Sequence, residues 1–118
     1  MKILPVLLLI AATLVGLAML PCSATGTASF YADSYEGRLM ANGKPFRQSA
    51  LTCATYRWPL GTKLRVRHGK SSVIVTVTDR GPDKRLGRLI DLSKAAFIKL
   101  GPLDAGLLNV EVVEIAKS

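Results

Sequence analysis

The alternation of apolar and polar side chains is clearest between residues 63 and 82. Lys63-Leu64-Arg65-Val66-Arg67 alternates strictly, with Leu64 and Val66 on one face and three cations on the other. The turn His68-Gly69-Lys70-Ser71 leads into a β-branched run, Ser72-Val73-Ile74-Val75-Thr76-Val77-Thr78. Residues of this kind suit the pleated surface of a strand, so the two segments predict a hairpin. The run stops at Asp79-Arg80-Gly81-Pro82, where Gly frees φ and Pro removes a ladder donor. On a strict period of two, Val73, Val75, Val77 and Asp79 share a face. Three valines followed by a carboxylate predict a core-facing row that opens into a cleft, a setting suited to acid–base chemistry. Asp also caps turns, and that plainer reading stands beside the catalytic one. His68, the single histidine, falls on the exposed turn and is not expected to act as a ligand or base.

Shorter apolar segments flank the hairpin. Strands are predicted over 27–32, with Phe30 and Tyr31 on opposite faces, and over 51–55, 89–92 and 107–115. Residues 33–48 are polar and turn-rich, punctuated by Asn42-Gly43 and Lys44-Pro45. Ser93 has the character of an N-cap, Leu92 and Phe97 the spacing of a hydrophobic staple, and Gly101-Pro102 that of a stop. A short helix is therefore expected over about 94–100. Short strands at close spacing with one small helix predict an all-β domain closed as a barrel, in preference to a βαβ sheet.

The beginning of the chain has a different character. Lys2 precedes an apolar stretch from Ile3 to Leu20, followed by Pro21 and the small residues Cys22-Ser23-Ala24. The pattern is that of a secretory signal cleaved after Ala24. Two alternatives remain: a lipid on Cys22, where Pro21 is an awkward neighbour, and an uncleaved anchor, interrupted by Pro5, Thr13 and Gly16. Cleavage leaves residues 25–118, enough for one domain with a single core. Cys53, in the apolar context Leu51-Thr52-Cys53-Ala54, is expected to be a small buried core residue. If Cys22 is retained, a Cys22–Cys53 bridge is open to the chain.

Loss of Lys2 with the leader takes the net charge from +8 to +7. On an exported protein this favours anionic partners such as wall polymers, lipid headgroups or polyanionic glycans. Nucleic acid is not indicated, because the cations are scattered and no recognition helix or aromatic binding motif accompanies them.

The ordered set of motifs resembles the rare lipoprotein A family. The matching residues are Gly26-Thr27-Ala28-Ser29-Phe30-Tyr31, then Glu36-Gly37-Arg38 with Ala41-Asn42-Gly43, and Ala50-Leu51-Thr52-Cys53-Ala54. They continue with Pro59-Leu60-Gly61-Thr62, the segment 75–82, and Gly87-Arg88-Leu89-Ile90-Asp91-Leu92-Ser93-Lys94-Ala95-Ala96. The resemblance implies a six-stranded double-psi β-barrel, related to barwin, expansins and family-45 endoglucanases, with one or two short helices. It also implies a lytic transglycosylase of the bacterial envelope that cuts peptidoglycan glycan strands stripped of stem peptides. In that reaction the sugar's own C6 hydroxyl replaces water and leaves a 1,6-anhydro end. The resemblance further implies a monomer in the periplasm, envelope or exterior, with no metal and no cofactor.

Residue by residue, Asp79 matches the family's essential Asp. The family's catalytic His falls on Thr55, whose hydroxyl can hydrogen-bond but cannot hold a proton near neutral pH. Lys44 stands where the family has Glu, and Asp83 where it has an aromatic. The expected site is therefore Asp79 as acid/base, with Thr55, Tyr31, Asn42, Tyr56 and Arg80 contacting the sugar. Tyr31, Tyr56 and Trp58 have faces suited to sugar C–H surfaces, with core packing as the competing reading, favoured for Trp58 beside Pro59. Arg80 is expected to bind substrate or to pair with Asp91, and Arg38 and Asn42 to line the cleft or only shape the turn. Two rival functions fit the same barrel: a non-catalytic wall-binding or wall-loosening module of expansin type, and a secreted inhibitor or effector. Loss of the His favours the binding module, and retention of Asp79 in its motif favours the enzyme.

Overall fold

The hairpin predicted around Gly69 forms the spine of the structure. It consists of β3 (Lys63–His68) and β4 (Ser71–Asp79), paired antiparallel from Lys63↔Thr76 to His68↔Ser71. Leu64, Val66, Val73, Val75 and Val77 are buried, while Lys63, Arg65 and Arg67 are exposed, as the alternation requires. The computed structural model describes residues 22–117, so most of the expected leader lies outside the described residues.

Four further strands complete the sheet: β1 (Ser23–Phe30), β2 (Thr52–Ala54), β5 (Ile90–Leu92) and β6 (Leu108–Ala116). They close a barrel in the order β1-β5-β2-β4-β3-β6. The β1–β5 and β2–β4 pairs are parallel and the other four antiparallel. β1 starts earlier than the pattern suggests, because Ser23 and Ala24 pair with Val113 and Val112 of β6. It also ends earlier, at Phe30, although the Tyr31 N–H still donates to the Leu92 carbonyl at 3.0 Å. Cys22 and Cys53 are free thiols, Cys22 at the surface and Cys53 buried in the core.

The barrel interior is apolar. Leu64, Val66, Val75, Val77, Ile90, Leu92 and Val112 fill it, and Trp58 packs into the same cluster, as expected for its place beside Pro59. Against this core packs α1 (Lys94–Phe97), whose Ala96 and Phe97 are buried in it. The Ser93 hydroxyl accepts from Ala96 N at 3.2 Å, the cap foreseen in the sequence. The helix is shorter than expected, with Ile98 as its C-cap, and residues up to Gly101 continue as turns bonded to the Phe97 carbonyl. Such tight final turns satisfy helix-end carbonyls without extending the helix.

Residues 33–48 fold as a loop whose Phe46 joins Tyr31 and Ala54 in a second, smaller buried cluster. The loop starts with a 3₁₀ turn at Asp33–Tyr35, and a bridge pairs Leu39 with Pro45. Phe46 is buried and stacks on Tyr31 with ring centroids 4.1 Å apart. Gln48 ties this loop down: its Nε2 donates to the Tyr31 carbonyl at 2.8 Å and its Oε1 accepts from Lys94 N at 2.8 Å.

Candidate active site

The site begins with a slip in strand register. Cys53 of β2 pairs with Val77 of β4, yet the next residue, Ala54, pairs with Asp79, so Thr78 is skipped. On the other side of β2, Cys53 pairs with Leu92 and Ala54 with Asp91. Cys53 and Leu92 belong to the barrel core, which puts Ala54 and Asp91 on the opposite face. The skipped residue moves Asp79 off the valine row and into line with them, as a one-residue bulge does. The strict alternation expected through Asp79 thus ends at Val77.

A row results across four strands: Ser29 on β1, Asp91 on β5, Ala54 on β2 and Asp79 on β4. Two carboxyl groups flank the smallest chiral side chain, with their Cα atoms two strand spacings, roughly 10 Å, apart. Asp91, Ala54 and Asp79 of this row line a groove of about 760 Å³, together with Tyr31, Tyr35, Tyr56, the run Arg80–Lys84, Leu86 and Arg88. A second hollow, of about 550 Å³, lies beside Arg67 and Glu111, which already pair at 2.8 Å. The first has the chemistry.

Asp79 is held by three donors. Its Oδ1 accepts from Ala41 N at 2.8 Å and Arg80 N at 2.9 Å, and its Oδ2 accepts from the Tyr31 hydroxyl at 2.7 Å. A carboxylate has about four acceptor positions, so one remains, on Oδ2. The turn at Ala41-Asn42-Gly43 exists to supply the first of these donors. Asn42 N donates to the Thr78 carbonyl, and Gly43 adopts φ +83°, where a side chain would be strained.

Asp91 was assigned no more than a pairing role by sequence reasoning. Its Oδ1 accepts from the Ser29 hydroxyl at 3.1 Å. Partial burial pushes its carboxyl up to about 6, with Asp79 adding repulsion, and Ser29 and Arg88 moderating the rise. The signal that could have found it is the Ile90-Asp91-Leu92 pattern, a carboxylate between two core residues on a three-residue strand. Which face it served depended on the neighbouring strands.

The remaining expected residues divide. Tyr31 and Tyr56 line the groove, and so does Tyr35, which stands edge-on to Tyr31 at 5.6 Å and was not singled out in the sequence. The Tyr31 hydroxyl is pushed to a higher pKa by burial and by its bond to Asp79, so it stays protonated as a donor. Arg80 lines the groove, but its guanidinium donates to the carbonyls of Thr55 and Trp58 at 2.8 and 2.6 Å and does not pair with Asp91. Asn42 lies outside the groove lining, and its Oδ1 accepts from Lys44 N at 3.0 Å. Thr55 is fully buried, donating to the Leu89 carbonyl at 3.1 Å and accepting from Arg57 N at 3.2 Å. Its hydroxyl is turned to the backbone, away from the groove. No group of three metal-ligating side chains occurs among the described residues.

The model of the lytic transglycolase family matches residues 23–112. The chain belongs to this family. It is 44% identical over 88 residues to the probable endolytic peptidoglycan transglycosylase RlpA of Synechocystis sp., covering 72% of this chain and 27% of that protein. It is 40% identical over 93 residues to the endolytic peptidoglycan transglycosylase RlpA of Neisseria meningitidis serogroup A, covering 77% and 38%. The chain thus spans well under half the length of these curated relatives. Among solved structures, the Streptomyces papain inhibitor superposes with TM-score 0.66 at 28% identity, over 80% of this chain and 96% of that one. The apo expansin of Clavibacter michiganensis gives TM-score 0.65 at 26% identity, over 82% and 52%. The closed six-stranded barrel is of the double-psi type that these neighbours share.

Within this transglycolase-family barrel, Asp83 and Thr55 make local structural bonds, and Lys44 faces solvent. Asp83 caps the 3₁₀ turn Lys84–Leu86 by accepting from Arg85 N, and its carboxylate pairs with the Arg85 guanidinium at 2.8 Å. Lys44 is exposed on the loop that anchors Asp79. Thr55 bonds the β2 end to Leu89, just before β5.

Proposed function

We propose that the chain is an endolytic lytic transglycosylase that cleaves peptidoglycan glycan strands and leaves 1,6-anhydro ends. The observation that carries this reading is the row Asp91–Ala54–Asp79, two carboxyl groups in one aromatic-walled groove. Membership of the transglycolase family and the RlpA relatives supports it. A sugar fits over Ala54, with ring faces against Tyr35 and Tyr56. Asp91, with its carboxyl raised to about 6, donates a proton to the departing glycosidic oxygen as the C1–O bond breaks. The C6 hydroxyl forms the new bond to C1, and its proton passes to the free acceptor position on Asp79 Oδ2. Protons balance without water as a reactant, and solvent exchange resets the two carboxyl groups. Tyr31, held protonated, fixes the Asp79 carboxylate by donating to it. The substrate lies outside the cytoplasm, so this reading carries export with it, consistent with the leader read at 1–24.

Mass spectrometry of glycan products from amidase-stripped peptidoglycan tests the proposal. Anhydro-ended fragments are expected with the wild type and not with D79N. Retention on the glycan with no anhydro product from the wild type would replace the enzyme by a binding module.

A further inference from the structure

Tyr31 stands one residue beyond the end of β1, and its phenol is the donor that holds Oδ2 of Asp79. Its backbone N–H still reaches the Leu92 carbonyl, but its own carbonyl lies past the strand ladder. That carbonyl accepts from Gln48 Nε2 at 2.8 Å, so a side-chain amide takes the place of a further strand partner. The same Nε2 donates to Asp33 Oδ1 at 3.2 Å, and Gln48 Oε1 accepts from Lys94 N at 2.8 Å. The backbone of Gln48 is held as well. Its N–H donates to Glu36 Oε2 at 2.8 Å, and its carbonyl accepts from Ala95 N at 3.1 Å. One residue thus connects the exit of β1, the 3₁₀ turn at Asp33–Tyr35 and the first turn of α1.

The position demands an amide. Two acceptors, the Tyr31 carbonyl and the Asp33 carboxylate, need donors, while Lys94 N needs an acceptor. An ionised Glu has no donor to give, Met is only a weak acceptor, and Asn is one methylene too short to span the same gaps. Gln48 is absent from the groove lining, so it does not act on the sugar directly. We infer that Gln48 is a positioning residue: by fixing the Tyr31 carbonyl it sets the direction in which that side chain leaves the backbone, and so keeps the phenol on Asp79. The stack on Phe46 restrains the ring, and the Gln48 bond restrains the backbone that carries it. With the phenol in place, one acceptor position remains on Oδ2 and faces one way. With the phenol displaced, the carboxylate would meet the C6 hydroxyl without a fixed orientation, which slows proton transfer. The inference rests on the transglycosylase reading above and concerns how its base is held.

The test is the kinetics of anhydro-product formation from amidase-stripped peptidoglycan, with the full chain and its variants. Q48M keeps the length of the side chain and loses its three hydrogen bonds. It should lower kcat about fivefold, the rate equivalent of one neutral hydrogen bond, and leave KM unchanged. Q48M combined with Y31F should cost no more than Y31F alone, because the phenol to be positioned is then gone. Independent losses of this size would instead multiply to about 25-fold. D33N breaks the exposed Lys94–Asp33 ion pair but keeps the bond from Gln48 to Tyr31, and should leave kcat unchanged. If Q48M does not fold, Q48E takes its place: its carboxylate still accepts from Lys94 N but offers Tyr31 no donor, and the same non-additivity with Y31F is expected. Losses that multiply, a wild-type rate in Q48M, an effect on KM alone or an equal loss in D33N would each overturn the inference and leave the transglycosylase reading standing. No anhydro product from the wild type overturns both.

Discussion

Residues 73–77 of β4 and residues 79–82 after them are continuous chain, yet different forces hold them. Val73, Val75 and Val77 sit in a closed core cluster made up almost wholly of apolar side chains. Asp79, two residues on, is surrounded by donors: two backbone N–H groups and a tyrosine hydroxyl. The skipped Thr78 separates the two regimes. One strand thereby serves packing along most of its length and chemistry at its end, and the bulge keeps the carboxylate out of the core that would penalise its charge.

The largest effect should come from carrying a charge back into the first regime. V75D places an unpaired carboxylate at a site 1% exposed, and the cost of several kcal/mol is a large share of a small domain's ~5–15 kcal/mol. Loss of a cooperative thermal transition is expected, while R65D on the outer face should fold normally. Similar unfolding of both would mean that the inside and outside of the hairpin are not distinct. D79N probes the second regime. Product formation should fall ~10²–10⁴-fold with the thermal midpoint little changed, because Asn keeps the acceptor oxygen. A folding defect comparable to that of V75D would show that Asp79 is structural.

T55H adds bulk at a fully buried site whose hydroxyl is committed to the Leu89 carbonyl. It should destabilise by ~1–3 kcal/mol and yield no more anhydro product than the wild type. A rise in product would show that the groove extends to this position. D91N separates chemistry from stability. The folded-state value near 6 lies above the ordinary 3.8, so the folded protein binds this proton more tightly than the unfolded chain. The stability that Asp91 contributes is therefore full below about pH 4 and is lost as pH rises through about 6. Asn does not titrate, so D91N should match the wild type at pH 4 and exceed it by roughly 1–2 kcal/mol at pH 7. Urea unfolding across that range checks the sign, and product formation should fall in parallel. Y31F is the mildest change. It removes one donor from Asp79 and should cost ~1 kcal/mol in stability, with a less than tenfold loss of rate.

Much of the molecule was legible before its structure. The β3–β4 hairpin, the Ser93 cap and the core placement of Cys53 and Trp58 all follow from neighbours in sequence. Of the groove, Asp79, Tyr31, Tyr56 and Arg80 were named in advance, and all four line it. Asn42 and Thr55 were named with them and lie elsewhere, because their polar atoms are used by nearby backbone: Lys44 N in one case, Leu89 O and Arg57 N in the other. Gln48, in a polar loop with no periodic signal, gave no hint that it would join Tyr31 to α1.

What the sequence by itself determined is what short-range physics controls. Strand periodicity, β-branched propensity, turn glycines and a helix cap are settled by residues within a few positions of one another. Tertiary structure decided the rest. The register of β2 against both β4 and β5 aligned Asp79 with Asp91 across Ala54, although 12 positions separate the two acids in the chain. Burial and a neighbouring carboxylate then raised Asp91, and closure of the barrel turned Thr55 inward. Pairing between distant strands sets which faces meet, and a slip of one residue reverses a face, so no local pattern could have fixed the second carboxyl group of the groove.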